Sequence, residues 1–154
     1  MLIRNILEES VRKFDEVKAV KWLKKKEIME RSYGELMENV VSTRKGLLAE
    51  GFEGKHIALI GTSSVEWMES YLGIITGCTT AVPLDAALPC EDLIDLLNRS
   101  DSVALFLSPK LKPYLDAFLA NCPKLQKVWM LQEEVEDAPA KVYGIGELRN
   151  AGKS

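Results

Sequence analysis

Three stretches of this 154-residue sequence carry side chains that could hold phosphate or another anion: Thr62-Ser63-Ser64, Gly144-Ile145-Gly146 and the terminal Gly152-Lys153-Ser154. The terminal triplet has the ending of a phosphate loop. That motif needs a glycine five positions before its second glycine, and Glu147 stands there, with Gly146 one place too far. Such a loop also aims backbone amides at phosphate from a helix that follows it, for which the sequence offers no residues, so no phosphate loop is expected. Gly144-Ile145-Gly146 lacks the third glycine of a dinucleotide fingerprint. Thr62-Ser63-Ser64 are better placed, because they follow the apolar run Ile57-Ala58-Leu59-Ile60-Gly61. Open parallel sheets bind ligands beyond the carboxyl ends of their strands, and a helix start attracts anions. A helix cap alone explains the same residues and is the expected role.

Other reactive side chains stand alone. His56, the sole histidine, has no nearby partners for a triad or a metal site and is expected to be structural or solvent-facing. Cys78, Cys90 and Cys122 are odd in number and widely spaced, which implies a reducing compartment rather than a disulfide framework. Asp85 is a loop acceptor or a ligand contact. Trp22, Trp67 and Trp129 read as core aromatics, since no basic groove accompanies them. No catalytic, cofactor-binding or metal-binding residue is assigned.

The elements that would position these residues centre on Lys55 to Pro89, which reads as one βαβ unit. Ile57–Ile60 is a strand buried on both faces. Thr62 to Ser64 cap a helix whose apolar face is Met68, Tyr71, Leu72 and Ile75, widened by Trp67 and Ile74. Gly77 suits a left-handed cap, and Thr79 to Val82 form a second strand that Pro83 terminates. Upstream, residues 3–14 form an amphipathic helix. Val17–Leu23 and Ile28–Ser32 form a hairpin with Lys24-Lys25-Lys26 at its solvated tip. Ser32 and Glu35 have capping-box spacing for a helix burying Leu36, Val40, Thr43, Leu47 and Leu48. Downstream come a helix from Glu91 with Leu93, Leu96 and Leu97 inward, a strand at Val103–Leu107, a helix from near Pro113, and a strand at Gln126–Leu131. The acidic run Glu133 to Asp137 is a loop before Val142-Tyr143 and a short helix near Glu147–Asn150, where the core thins. The fold class is α/β: a layered, mainly parallel sheet flanked by helices, with an N-terminal helix and β-hairpin.

Composition narrows the function. A hydrophobic content of 47% supports a substantial core, and a net charge of −3 argues against a nucleic-acid surface. The longest uncharged run, Ser70 to Leu84, is broken by Gly73, Gly77 and Pro83, so no transmembrane segment is expected. The start, Met1-Leu2-Ile3-Arg4-Asn5, lacks the features of a secretory signal.

Gly77-Cys78-Thr79-Thr80-Ala81-Val82-Pro83-Leu84-Asp85, preceded by the Ile57–Gly61 strand and the Glu66-Trp67 helix, resembles an early segment of the adenylate-forming acyl-CoA synthetases, the AMP-binding enzyme superfamily. Ser32-Tyr33-Gly34-Glu35-Leu36 resembles that superfamily's Thr/Ser-Tyr-x-Glu-Leu helix start. The pattern runs on through Leu93, Leu96, Leu97 and Ser100 to Val103–Leu107, so the resemblance covers nearly the whole chain but only the family's beginning. Glu66-Trp67 and Val82-Pro83-Leu84-Asp85 lean toward the long-chain fatty acid members, whereas Cys78-Thr79-Thr80 departs from the small glycine-rich residues common there.

The resemblance implies a parent that activates a carboxylate with Mg-ATP, forming an acyl-adenylate and pyrophosphate, and passes the acyl group to the thiol of CoA. Residues 1–154 would be its N-terminal lobe, an incomplete part of a larger adenylate-forming fold with a scaffold role and no activity alone. ATP, Mg and CoA would serve the parent, and none is expected to be bound by these residues. The partners implied are the remainder of the synthetase chain and a small-molecule carboxylate, with no nucleic acid, in the cytoplasm. The family's later motifs, among them a phosphate loop ending in Pro-Lys-Gly and a lysine on a mobile lid, do not occur in this sequence. A second reading is a stand-alone, non-catalytic α/β binding or interaction module. A third, a small nucleotide-binding enzyme, rests on the strand-end serines alone.

Overall fold

The inner strands of the central sheet send alternate side chains into two helical layers, and this two-sided burial is why they read as unbroken apolar runs. The computed structural model describes residues 2–153; Met1 and Ser154 lie outside the described residues. Helix α1 (Ile3–Phe14) and an antiparallel hairpin, β1 (Lys18–Lys24) and β2 (Glu27–Ser32), precede α2 (Tyr33–Ala49). There follow β3 (His56–Ile60), α3 (Val65–Ile75), β4 (Thr80–Leu84), α4 (Cys90–Arg99) and β5 (Ser102–Leu107). A 3-10 helix at Pro109–Tyr114, α5 (Leu115–Asn121), β6 (Lys127–Met130), β7 (Val142–Gly144) and α6 (Ile145–Lys153) complete the order. Among the described residues, five strands form one parallel sheet in the order β4-β3-β5-β6-β7.

On one face Ile57 and Leu59 of β3, Ala104 and Phe106 of β5 and Trp129 of β6 pack with Leu47, Ile74 and Leu148 from α2, α3 and α6. Trp129 is held between Phe106 and Phe52, with ring centroids 5.4 and 5.9 Å away. On the other face Ala58, Ile60, Leu105, Leu107, Val128 and Met130 meet Leu93 and Leu97 of α4 and Leu115 and Phe118 of α5. Burying one such side chain contributes about 1.5–3 kcal/mol, which ordering the chain largely offsets.

Several local expectations are corrected. Pro83 lies inside β4, opposite Leu59, rather than ending it. A proline is tolerated there because β4 is an edge strand. Gly77 has no positive φ; a side chain there would meet Arg44 Cγ at 2.8 Å, so close packing accounts for the glycine. In α3 the buried residues are Val65, Glu69, Ser70, Gly73 and Ile74, while Met68, Tyr71, Leu72 and Ile75 are half-buried. The burial stripe turns because α3 packs on α2 as well as on the sheet: a Cβ on Gly73 would come within 2.8 Å of Thr43 Cβ. Leu48 is exposed, and Trp22 is half-buried on the hairpin with the Arg31 guanidinium 5.4 Å from its ring. The core does not thin at the C-terminal end, because β7 extends the sheet and α6 buries Ile145, Leu148 and Arg149 against it and α2. Gly46 of α2 and Gly152 of α6 permit that approach: added Cβ atoms would lie 2.4 Å from Leu148 O and 2.1 Å from Ser42 O.

Between α2, α3 and α6 sits a charge cluster. Glu69 is fully buried, with Asn39 Nδ2 donating to its Oε2 at 2.8 Å and Arg31 Nε 3.1 Å from the same atom. Arg149 is 3% exposed; its Nη2 lies 3.7 Å from Glu69 Oε1, its Nη1 3.8 Å from Glu133 Oε1, and its Nε donates to Thr43 Oγ1 at 3.1 Å. Burial pushes the Glu69 pKa up, against the opposing pull of Asn39, Arg149 and Arg31, and burial lowers that of Arg149.

Removing the carboxylate strands two guanidinium groups, so Glu69→Ala is expected to cost about 3–5 kcal/mol in urea unfolding. With its pKa raised on folding, the Glu69 contribution is greatest below the ordinary glutamate range and falls as pH rises through the raised value. Glu69→Gln should remove that decline. Parallel slopes for wild type and Glu69→Gln, in stability measured between about pH 4 and pH 8, would contradict the assignment.

Candidate functional site

The chain steps outward from β3 to β4, then returns past β3 to lay down β5 on its other side. Helix α3 packs on one face of the sheet and α4 on the other, so the loops after β3 and β5 diverge. A crevice opens between them, at the kind of position where open parallel sheets take ligands. Beside it lies a groove of about 600 Å³ bordered by Thr62 and Ser63 after β3, Asp85 and Ala87 after β4, and Lys110 and Leu111 after β5. That volume is of ligand-pocket size. A neighbouring cleft of about 440 Å³ is bordered by Ser64, Glu66, Ser108 and Gln132, with Lys24 of the hairpin at its side.

Of the three strand-end hydroxyls, Ser64 is committed to the helix: its Oγ accepts from Trp67 N at 3.1 Å. Thr62 and Ser63 are exposed; Thr62 Oγ1 is 3.5 Å from Ser108 Oγ, a hydroxyl that the fold buries. Asp85 Oδ1 accepts from Ala87 N at 2.9 Å, so this carboxylate shapes its own loop. Lys110, exposed on the rim, is a cation that the sequence reading did not single out; only the position after a core strand could have pointed to it. Together these groups can bind a polar or anionic end against an apolar wall of Leu84, Ala86 and Leu111. They include no paired nucleophile and base.

The remaining candidates lie elsewhere. His56 is at the amino end of β3, with Nδ1 2.7 Å from Ser100 O. Gly144 and Gly146 sit where side chains would strike Glu133 O at 2.4 and 2.5 Å. The amides of Ile145 and Gly146 are already spent on the carbonyls of Gln132 and Glu133, leaving no cradle for phosphate. Gly152 and Lys153 are inside α6, where Lys153 Nζ is 3.5 Å from Glu38 Oε1; the Ser154 part of that candidate lies outside the described residues. Cys78 is exposed, Cys90 half-buried and Cys122 buried, all as free thiols, and burial pushes the Cys122 thiol up. Among the described residues no three metal-ligating side chains converge.

The division of labour among the serines is testable. Ser64→Ala is expected to lower stability by about 1 kcal/mol through loss of the cap, and Ser63→Ala to change it by less than about 0.5 kcal/mol. Equal losses in thermal or urea unfolding would contradict it.

The sequence profile of the AMP-binding enzyme family matches residues 7–150. No curated protein sequence matches the chain significantly. Among solved structures, the coronafacic acid ligase of Pectobacterium brasiliense superposes with a TM-score of 0.86 at 19% identity, covering 97% of this chain and 29% of its own. The N-terminal domain of FACL13 from Mycobacterium tuberculosis gives 0.75 at 19% identity, over 91% of this chain and 38% of its own. The anthranilate CoA ligase AuaEII, solved with anthranoyl-AMP, gives 0.75 at 16% identity, over 96% and 26%. At these identities the likeness speaks for the fold, and this chain spans between 26% and 38% of the length of those three. With the profile matched over nearly its whole length, the chain belongs to the AMP-binding enzyme family, and its parallel sheet with the attached hairpin has the fold of the N-terminal lobe of adenylate-forming enzymes.

Proposed function

We propose that residues 1–154 are the N-terminal lobe of an ATP-dependent acyl-CoA synthetase, serving as scaffold and forming one wall of the pocket that holds the acyl group. The family match over residues 7–150 carries this reading. The carboxyl-edge groove supports it, having an apolar wall with a polar rim and no pair of groups for proton transfer or nucleophilic attack. The reaction assigned to the whole enzyme joins a carboxylate to ATP, giving an acyl-adenylate and pyrophosphate, and then transfers the acyl group to CoA. The anthranoyl-AMP in the AuaEII structure is an acyl-adenylate of that kind. A fatty acid is the favoured carboxylate, from the Glu66-Trp67 and Val82-Pro83-Leu84-Asp85 signatures.

One ammonium and two hydroxyls at the groove suit an anion, whereas among the described residues no three carboxylates converge to hold Mg, so no metal contact is assigned to this lobe. Its contribution is to hold the groove wall in place through β3, β4 and β5 and to exclude water from one side of the acyl chain. The rest of the synthetase chain would supply phosphate binding, and a cytoplasmic location is part of the proposal; among the described residues no helix is long and apolar enough to cross a membrane. A free-standing interaction module is disfavoured by Ile3, Ile6 and Phe14 of α1 and Leu2 just before it, all about half exposed or more.

Calorimetric titration with Mg-ATP, followed by trapping of the acyl-adenylate with hydroxylamine in the presence of a fatty acid, tests the reading. A chain extended by the downstream coding sequence is expected to bind and form adduct, and residues 1–154 alone to do neither. ATP binding by residues 1–154 that is lost in Ser63→Ala would overturn the scaffold role.

A further inference from the structure

Beyond the synthetase reading and independent of it, we infer that the tip of the β1–β2 hairpin docks on the surface of an anionic lipid bilayer. The register sets Leu23 opposite Ile28, and these side chains are 71% and 73% exposed. Alternation along the strands turns Trp22 and Arg31 inward, Arg31 reaching Glu69, so Leu23 and Ile28 share the outward face with the Lys21–Glu30 pair. A rung facing water on a two-stranded ribbon takes polar residues when folding alone selects it. Two opposed branched apolar side chains there contribute nothing to the core.

Immediately beyond this rung comes Lys24-Lys25-Lys26, all exposed. Lys25 and Lys26 hold φ of 49° and 69°, the left-handed region that Asn-Gly fills at lower cost in a two-residue hairpin turn. Lysine stands at two positions where conformation favours another residue. From Lys18 to Ser32 six basic residues face two acidic ones, in a chain whose net charge is −3, so positive charge is concentrated on this ribbon.

An apolar pair beside a ring of ammonium groups matches a bilayer interface. Leu23 and Ile28 enter the boundary between headgroups and acyl chains, while the lysine stems extend along it and their charges stay with lipid phosphate. An acidic protein surface would satisfy the lysines but leave Leu23 and Ile28 against charge; an apolar protein surface would do the reverse. Lys24 also borders the cleft at the carboxyl edge, so docking brings that edge toward the membrane.

The test is co-sedimentation of the full-length protein with vesicles of phosphatidylcholine alone or with about 30% phosphatidylglycerol. Binding to the anionic vesicles is expected to be about tenfold tighter or more and to weaken with salt. Leu23→Ser with Ile28→Ser, and separately Lys25→Glu with Lys26→Glu, should each weaken it about tenfold or more, with thermal unfolding unchanged because all four side chains are exposed. Reversing Arg12 and Lys13 on α1 to glutamate should leave it within about twofold. Undiminished binding by the hairpin variants, or equal binding to neutral vesicles, would overturn the proposal. So would a lipid-free self-association that Leu23→Ser with Ile28→Ser abolishes, which would make the rung a contact between copies.

Discussion

Glu69 and Arg149 leave water together, and neither could do so without groups brought from other elements. The carboxylate comes from α3, the guanidinium from α6, the amide of Asn39 and the hydroxyl of Thr43 from α2, and a second guanidinium from β2. A buried charge left unpaired costs several kcal/mol, so arrangements in which any of these elements is misplaced are excluded by electrostatics as much as by packing. The cluster also ties the hairpin to the layered domain, because Arg31 reaches Glu69 from a ribbon that is no part of the main sheet. Its contacts of 3.7 and 3.8 Å are looser than charge-assisted hydrogen bonds, which suits a device that sets register more than one that adds stability.

The sheet was legible in the sequence because its signals are local. Ile57–Ile60, Val103–Leu107 and Gln126–Leu131 are apolar runs of strand length, and the structure places strands on each. The capping box was legible for the same reason: Ser32 Oγ accepts from Glu35 N at 3.1 Å and lies 3.2 Å from its carboxylate. Burial on α3 was not, since periodicity counts Glu69, Ser70 and Gly73 as polar or neutral and turns them outward. Only the approach of α2 makes small side chains an advantage, and only groups distant in sequence, Asn39, Arg31 and Arg149, make a buried carboxylate tolerable. The same blindness to long-range contact hid the strand β7 and the packing of α6, the helix itself being legible near Glu147–Asn150; these short segments gain their place by docking on β6 and α2.

The candidate groove was half legible. Strand ends followed by hydroxyls marked Thr62 and Ser63, and the strand order places them at a crevice. The separation of Ser64, fixed as a cap, from Ser63, free at the rim, needed geometry. So did Lys110, which reaches the groove from a 3-10 helix whose sequence carries no anion-binding motif.

The two outer strands of the sheet differ in length and share one property. β4 is hydrogen-bonded on a single side and carries Pro83, which has no amide hydrogen to offer a newcomer; β7 is three residues long. Neither presents the long run of free donors and acceptors on which another chain could add a strand. With both flanks blunted, the folded sheet offers other copies no edge on which to polymerise.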